Sequence, residues 1–417
     1  MGFVAILASA RRLCNLTAIA ISAVLFLLLY LLSSNARGRG SGGSSGGGFA
    51  YFNAGKPSSS APKITEDIFN STLGFEKILV VNLPSRTDRR DGIVLGAALS
   101  DLEIEFVDGV DGKLVPDKAL PTSPDHDRLP DAVIGSWRGH MNAIQEVVRR
   151  NLSSALILED DADWDVRIKT QLRDFALAAH ALTQPLAGGG PARFADATYP
   201  GGLGDRAGLP ASVPELAFDA LPATVAPAHS PYGDGGWDVL WLGHCGMRFP
   251  EAADAALPKG RVVRAGDATV PQPRHLWTLT APDGLRDGYA NHTRVVHHAR
   301  DGVCSLAYAV SRRGARRLLH ALGLRDLRAA FDIELRWFCD AAGGRAYHPC
   351  LAVQPALFHI HLRAGPKASN SDISDHGAGH QHAVTRLVRY SVRMNAEALA
   401  DGRADLADLV DQWPDAE

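Results

Sequence analysis

The strongest chemical signal in the chain is a short apolar run that ends in a cluster of acids. The run Ala155–Leu158 is followed by Glu159, Asp160 and Asp161, and Asp163 comes two residues later. Carboxylates are the hard oxygen ligands that Mg²⁺ and Mn²⁺ prefer, and a substrate diphosphate can complete the coordination shell. We therefore expect a divalent-cation site with Asp161, Asp160 and Asp163 as candidate ligands. The alternative is a solvated acidic turn after a strand.

The elements around this cluster alternate between strands and helices. Compact apolar runs at Lys77–Leu83, Ile104–Val107 and Ala155–Leu158 are separated by helical patterns at residues 86–99 and 137–150, the second capped by Ser136. Such alternation predicts an α/β fold with a mainly parallel central sheet. Ligands of these sheets bind beyond the carboxyl ends of the strands, which is where the acids lie.

Further core elements follow a long interruption. Residues 184–236 are rich in Ala, Gly and Pro, which indicates an inserted surface loop, with a lid over the site as the less favoured reading. We then expect strands at 237–243, 304–310 and 346–353, and helices at 311–322 and 331–338. The paired arginines at 312–313 and 316–317 favour a solvated helix face over phosphate contact. Residues 376–417 predict a C-terminal helical tail around 384–399 and a frayed acidic end.

The N-terminal part predicts attachment to a membrane. Leu13–Leu32 carries no charge and is about long enough to cross a bilayer, so residues 1–36 are expected to be a short tail and a signal anchor. Cleavage near Ala36 is the alternative. Residues 37–74 indicate a flexible Gly/Ser-rich stem, and 75–375 the catalytic domain. This layout favours a single-pass type II protein of the Golgi or another secretory membrane, with its bulk in the lumen.

Other sequence features agree with a lumenal domain. The stem carries the N-glycosylation sequon at Asn70, the best glycan candidate in the chain. Four cysteines beyond the anchor, at widely spaced positions, permit disulfides whose pairing the sequence leaves open. The net charge of −3 gives no indication of nucleic-acid binding.

Several separated motifs together resemble glycosyltransferase family 25, the lipopolysaccharide and collagen galactosyltransferase group. The resemblance runs from about residue 75 to 374, interrupted by the insertion. Its motifs appear in the family's order: Val81–Arg90, Asp108–Gly112, Gly135–His140, Leu156–Asp161, Trp237–Gly243, Tyr308–Ala315 and Ser371–Ser374.

This resemblance implies a GT-A-like nucleotide-sugar-binding fold and a UDP-sugar donor, with galactose as the expected sugar. It also implies Mn²⁺ or Mg²⁺ as cofactor, inverting transfer, and a glycan, lipid-linked sugar or protein hydroxyl as acceptor. The motif positions expected to contact the donor are Asn82, Arg86, Arg89, Asp111 and His140. The alternatives stay open: a surface salt-bridge pair for the arginines, a plain turn for Asp111 and a helix cap for His140.

Inverting transfer needs a base for the acceptor hydroxyl. Asp332 lies where the family carries an acid, and Asp238 and Glu334 are rivals; a helix N-cap is the structural alternative for Asp332. On the C-terminal side, His361 in the extended segment His359–His361 is a candidate further metal ligand, although a structural histidine is the commoner case.

Two other functions are compatible with the same residues. A metal-dependent hydrolase would use the same acids, although such enzymes usually need further His and Asp clusters. A non-catalytic carbohydrate-binding relative of the fold is the second alternative, against which the intact acidic motif argues.

Overall fold

The computed structural model describes residues 63–121, 127–188, 193–199, 210–373 and 377–415. The expected membrane anchor at residues 1–36 and the stem up to residue 62 lie outside the described residues. Within the described ranges, no helix combines the length and the apolar character that a membrane span requires.

A large mixed β-sheet forms the centre of the described domain. Its main path has the order β2-β1-β3-β9-β6-β10-β8-β7-β5. All strands on this path except β8 and β9 run in one direction, so the sheet is mostly parallel. In chain order the strands are β1 (Lys77–Asn82), β2 (Ile104–Asp108), β3 (Ser154–Glu159), β4 (Ala162–Trp164), β5 (Leu216–Ala217), β6 (Val239–Gly243), β7 (Arg261–Arg264), β8 (Arg294–His298), β9 (Ala307–Ser311), β10 (Cys350–Gln354), β11 (Phe358–Leu362), β12 (Gly365–Pro366), β13 (His380–Gln381) and β14 (Val384–Thr385).

Helices cover both faces of this sheet. Because side chains alternate along a strand, Leu156 and Leu158 of β3 enter one apolar core and Ala155 and Ile157 enter the other. Both faces are therefore buried, and the result is a layered α/β domain. The α-helices are α1 (Thr87–Leu99), α2 (Asp131–Arg149), α3 (Ile168–Thr183), α4 (Gly284–Gly288), α5 (Arg312–His320), α6 (Phe331–Asp340) and α7 (Ala396–Ala400).

The expected α/β architecture is confirmed, with one difference in strand direction. The strand at 307–311 runs antiparallel between β3 and β6, so the sheet is mixed in its middle. The carboxyl ends of β1, β3, β6 and β10 nevertheless meet at one edge. We call this edge, which carries the acid cluster, the site edge.

One helix start differs from the sequence expectation and another agrees with it. Helix α2 begins at Asp131 after Pro130, so Ser136 is inside the helix and does not cap it. Proline just before the helix explains the earlier start, since its fixed φ suits a helix entry. Ser311 does cap α5, and its side chain accepts a hydrogen bond from the Gly314 N–H at 3.0 Å.

The folded domain begins before Phe75, which corrects the expected stem boundary. Residues 63–69 form a 3₁₀ helix, and Ile68 and Leu73 are fully buried in the core that contains α3. The surrounding polar sequence gave no indication that these two apolar residues are buried.

In the described parts of the segment 184–236, some residues are buried, so the segment is more than a surface loop. Tyr232 is fully buried, stacks on Phe75 with ring centroids 4.4 Å apart, and donates its hydroxyl to the Leu73 carbonyl at 2.6 Å. Asp196 is also buried, 3.2 Å from His298 of β8. The sequence showed no periodic apolar face here because single residues, rather than a helix or long strand, make the contacts.

The C-terminal residues likewise differ from the expected helical tail. Between 384 and 399 the chain forms β14, an irregular turn and the start of the short helix α7. Leu387, Val388 and Val392 are buried. This segment packs against the domain beside the acid cluster.

Two disulfides resolve the open cysteine pairing. Cys245 bonds Cys304, and Cys339 bonds Cys350. The first joins the chain after β6 to the chain before β9, at the site edge. The second joins α6 to the start of β10.

Candidate functional site

The acids after β3 point in different directions, as alternation along an extended chain requires. Asp160 is buried, and its two oxygens accept from Asn82 Nδ2 and Arg89 Nη1, each at 2.8 Å. Asp161 is also buried, with Oδ2 3.2 Å from Arg89 Nη1. Its other oxygen, Oδ1, is buried and has no hydrogen-bond partner within the described residues.

Asp163 does not line the cavity with Asp161, so its prediction as a metal ligand is wrong. It is fully buried, and Thr385 and Ser391 donate their hydroxyls to Oδ2 while the Trp164 N–H donates to Oδ1 at 2.8 Å. The carboxylate therefore holds the C-terminal segment against β4. Its lone pairs are committed to structural hydrogen bonds.

A solvent-open cavity of about 740 Å³ lies between α1, β11 and the C-terminal segment. Four arginines and two carboxylates line it, which gives an excess of positive charge. Asp161 and His361 line it together, and their backbones are bonded through the His361 N–H and the Asp161 carbonyl at 2.8 Å. The charged and imidazole side chains of the lining are Arg86, Asp88, Arg89, Asp161, His361, Arg363 and Arg393.

The electrostatics of Asp161 and His361 follow from burial. Burial raises the pKa of Asp161 to about 7, and Glu159 and Asp160 add to the shift while Arg89 and Arg393 oppose it. Burial lowers the pKa of His361 to about 4 against the opposing charge of Asp163. His361 is therefore a neutral imidazole at pH 7, the form that can ligate a metal.

The arginines at the mouth of the cavity are held by acids and carbonyls. Arg86 contacts Asp88 at 3.0 Å and pairs with Asp372 of the closing motif, and Arg363 also pairs with Asp88. Arg393 donates to the Asp160 and Ala162 carbonyls at 2.8 and 3.0 Å. Fixed guanidinium groups of this kind suit phosphate recognition, because each offers a planar fork of donors.

A second polar cluster lies at the site edge on the other side of β3. The carboxylate of Glu159 accepts from the Ser305 hydroxyl at 2.7 Å and lies 3.4 Å from His140 Nε2. His140 Nδ1 lies 3.2 Å from the Tyr308 hydroxyl. Burial acts to raise the pKa of Glu159, but the hydrogen bonds from His140 and Ser305 outweigh it, and the net shift is downward.

His140 lies in the middle of α2, which runs from Asp131 to Arg149. The alternative that His140 caps a helix start is therefore wrong. Its ring stacks on Phe331, the first residue of α6, with centroids 4.1 Å apart. This contact brings Asp332 close to the same edge. Asp332 accepts from the Cys304 N–H at 2.8 Å and from the Ile333 N–H at 2.9 Å.

Two of the expected bases are not near this site. Asp238 lies just before β6, at the opposite edge of the sheet, where it is fully buried and contacts Arg313 and Arg317 at 2.6 Å each. Glu334 is fully buried, pairs with Arg345 and accepts the Arg328 N–H at 2.7 Å. Both carboxylates are held in structural ion pairs, so the prediction of either as the base is wrong.

Two other sequence candidates lie in turns. Asp111 is exposed beyond β2, and its side chain accepts the Lys113 N–H at 3.0 Å, as expected of a turn cap. Asn70 is exposed, and its Oδ1 accepts the Thr72 N–H at 2.8 Å. The structure thus leaves the Asn70 side chain accessible, and Asp111 remains a donor-binding prediction without a further contact to support it.

Sequence reasoning missed Arg393 and Ser305. Arg393 comes from the segment that the sequence assigned to a tail, and Ser305 precedes a strand with no motif around it. Their neighbours at Asp160 and Glu159 were visible, but the long-range pairing was not.

The residues at the cavity fit a divalent cation in part. Asp161 offers an oxygen without a partner and His361 offers a neutral imidazole. Within the described ranges, no group of three or more His, Cys, Asp or Glu side chains converges. Mg²⁺ is usually held by one or two carboxylates, with the remaining positions left to a diphosphate and water, and Asp161 supplies one such carboxylate.

Comparison with known proteins finds similarity in the first part of the domain. The model of "Glycosyltransferase family 25 (LPS biosynthesis protein)" matches residues 75–184, which include the acid cluster, Arg86, Arg89 and His140. Procollagen galactosyltransferase 1 of Danio rerio is 30% identical over 113 residues, which cover 24% of this chain and 19% of that protein.

Two human proteins are similar over stretches of comparable length. Procollagen galactosyltransferase 2 is 30% identical over 111 residues, which cover 24% of this chain and 18% of that protein. Inactive glycosyltransferase 25 family member 3 is 30% identical over 115 residues, which cover 24% of this chain and 19% of that protein. The chain spans about a fifth of the length of these curated relatives.

Proposed function

Because residues 75–184 match the model of glycosyltransferase family 25, we propose that this chain belongs to that family and transfers a sugar from a nucleotide-sugar donor to a hydroxyl acceptor. The observation that carries the proposal is the cavity at the site edge, where four arginines surround the buried carboxylate of Asp161. A nucleoside diphosphate is an anion with many acceptor oxygens. A cavity with excess positive charge at the carboxyl ends of parallel strands suits it.

Within this proposal, Arg89 and Arg393 hold the acidic turn and present donors to the diphosphate. Arg86 and Arg363, at the mouth, contact its outer oxygens. Asp161 and His361 would hold Mn²⁺ or Mg²⁺, which when bound neutralises the charge that develops on the leaving diphosphate. Asn82 acts indirectly, because its amide fixes the orientation of Asp160.

For the acceptor, we propose Asp332 as the base that takes the hydroxyl proton in an inverting transfer. Its support is position: it lies at the site edge beside Cys304, and its side chain is half-buried. Glu159, His140 and Ser305 contact one another at the same edge and would orient the acceptor.

UDP-galactose is the donor we propose, since two of the similar proteins carry the name procollagen galactosyltransferase. The acceptor class is a glycan, lipid-linked sugar or protein hydroxyl. We also propose a lumenal location behind the anchor at residues 13–32, with a glycan at Asn70. The two disulfides support an oxidising compartment.

Turnover on a donor panel tests the activity. Full-length protein is incubated with UDP-galactose, UDP-glucose and UDP-N-acetylglucosamine, with Mn²⁺ or chelator, and with a panel of collagen peptides and glycans. We expect acceptor-dependent release of UDP from one donor that stops with chelator. Donor consumption of equal rate without acceptor would indicate the hydrolase, and UDP binding without any turnover would indicate a non-catalytic relative such as the inactive family member.

A further inference from the structure

A second, strongly basic cleft lies at the edge of the sheet opposite the candidate active site. Its empty volume is about 690 Å³ and it is open to solvent. It is formed by α5, the turn after α5 and the chain before β10. No acid is among its lining residues, which are Arg316, Arg317, His320, Ala321, Arg325, Arg345, Ala346 and His348.

Buried acids lie beneath this basic cleft and hold part of its lining. Asp238, fully buried, contacts Arg317 at 2.6 Å and lies 3.4 Å from His348 Nδ1. Arg345, whose side chain is only 1% exposed, pairs with buried Glu334 and with Asp326. These ion pairs fix Arg317 and Arg345 from below, and no acid lines the cleft itself.

The outer cations of the cleft are not neutralised by acids within the described residues. Arg316 donates to the amide oxygen of Asn151 at 3.3 Å, and Arg325 donates to the Gly344 carbonyl at 2.9 Å. Both arginines and His320 are exposed. Like charges gathered in one concavity repel each other, so a bound anion would relieve a cost that the free protein carries.

Arg345 supplies an independent indication of a ligand. Its Nε is buried and has no hydrogen-bond partner in the described part of the chain. A buried donor without an acceptor is costly, and a group with several acceptor oxygens entering the cleft could satisfy it.

We propose that the basic cleft binds the phosphate or sulfate group of a ligand. Planar guanidinium forks match tetrahedral oxyanions. Arg316 and Arg325 offer two of them at the cleft, and Arg345 adds the N–H of its unpartnered Nε. A strand of five or six residues separates the two edges by about 17–20 Å, so this site is distinct from the cavity at Asp161. The proposal does not depend on the transferase activity.

Arg316→Gln/Arg325→Gln tests the cleft without disturbing the buried pairs. The control is Arg149→Gln/Arg403→Gln, which removes the same charge from two surface arginines that are 65% and 49% exposed. Titration calorimetry of the full-length proteins uses inorganic pyrophosphate and sulfate as probes. We expect at least tenfold weaker binding in the cleft variant and unchanged binding in the control.

Histidine ring resonances locate the bound anion, because His320 and His348 line the cleft whereas His361 lines the other cavity. Shifts of His320, assigned with His320→Gln, support the proposal; shifts of His361 alone overturn it. Vesicles with and without phosphatidylinositol 4-phosphate separate the two sources of the group. If the wild type binds the phosphoinositide vesicles and the cleft variant does not, the phosphate group belongs to a lipid headgroup. If the wild type binds only the soluble probes, the group belongs to a free ligand. Equal binding by the cleft variant and the wild type, or no binding of any probe, contradicts the proposal.

Discussion

Asp161 and Asp163 are two residues apart in the chain but contact different parts of the protein. Asp161 faces the cavity with an oxygen that has no partner, whereas Asp163 accepts the hydroxyls of Thr385 and Ser391. Three neighbouring acids therefore differ: Asp161 lines the cavity, Asp160 is held by Asn82 and Arg89, and Asp163 fastens the C-terminal segment. Their roles can be separated by substitution.

Asp161→Asn and Asp163→Ala should have opposite effects. Removing Asp161 relieves a buried charge, so we expect unchanged or higher thermal stability and loss of transferase activity. Asp163→Ala leaves buried hydroxyls and an N–H without an acceptor and should cost about 2–4 kcal/mol of unfolding free energy. Calorimetric melting and UDP-release assays distinguish the two. Lower stability of Asp161→Asn with activity retained would show that this acid, too, is structural.

Asp340 gives the fold a dependence on pH. Its carboxylate accepts the Asp301 N–H at 3.0 Å and lies 3.8 Å from Arg336. Burial raises the pKa of Asp340 to about 7 against these favourable contacts. The folded state therefore holds a proton that the unfolded state releases near pH 4, and its stabilising effect is lost as the pH rises through about 7.

We therefore expect Asp340→Asn to match the wild type near pH 5 and to exceed it at pH 8. The expected difference between the two pH values is about 1–3 kcal/mol in unfolding free energy. Urea unfolding of both proteins at each pH measures it, and the Asn side chain keeps an oxygen for the Asp301 N–H. A variant that is equally or less stable at pH 8 would contradict a raised pKa at this position.

At the scale of elements, the segment 184–236 is part of the core through a few residues. Tyr232→Ala removes a ring that is stacked on Phe75 and should cost about 3–5 kcal/mol. Val225→Ala in the same segment changes a side chain that is 50% exposed and should stay within about 0.5 kcal/mol. Chemical unfolding of both variants tests this. Equal stability of the two would mean that the segment is dispensable.

The strands and helices that carry the site were predictable because the spacing of apolar residues is visible within each short segment of sequence. Apolar runs located β1, β3 and β6, and strand–helix alternation placed the acids and Arg89 at one edge. The pairing of Asp163 with Thr385 spans 222 residues, and no local pattern records it. The same holds for Arg393 at the cavity.

Spacing in the sequence contains part of the information for one correction. Arg313 and Arg317 are four residues apart, on one face of a helix, and both contact Asp238. A buried acid before a strand with two such arginines after the neighbouring strand favours an ion pair over a catalytic base. Strand order was needed to see that β6 and β9 are neighbours.

At the scale of the molecule, the two edges of the sheet carry different charges and different proposed ligands. The site edge combines carboxylates, His361 and arginines around one cavity, and the cleft at the opposite edge is lined by arginines and histidines without an acid. The disulfide between Cys245 and Cys304 and the C-terminal segment both tie down the site edge. We expect the nucleotide-sugar donor and the metal to bind together at the site edge and not at the opposite edge.

The affinity of UDP with and without Mn²⁺ tests this claim most directly. A metal and a diphosphate that share one site must strengthen each other's binding, with coupling that is typically about 1–3 kcal/mol. Calorimetry of the full-length protein should give UDP binding roughly 5- to 150-fold tighter with Mn²⁺ than with chelator. Asp161→Asn should abolish this difference and leave weak binding through Arg86 and Arg89. Equal UDP affinity with and without Mn²⁺ in the wild type would contradict the account.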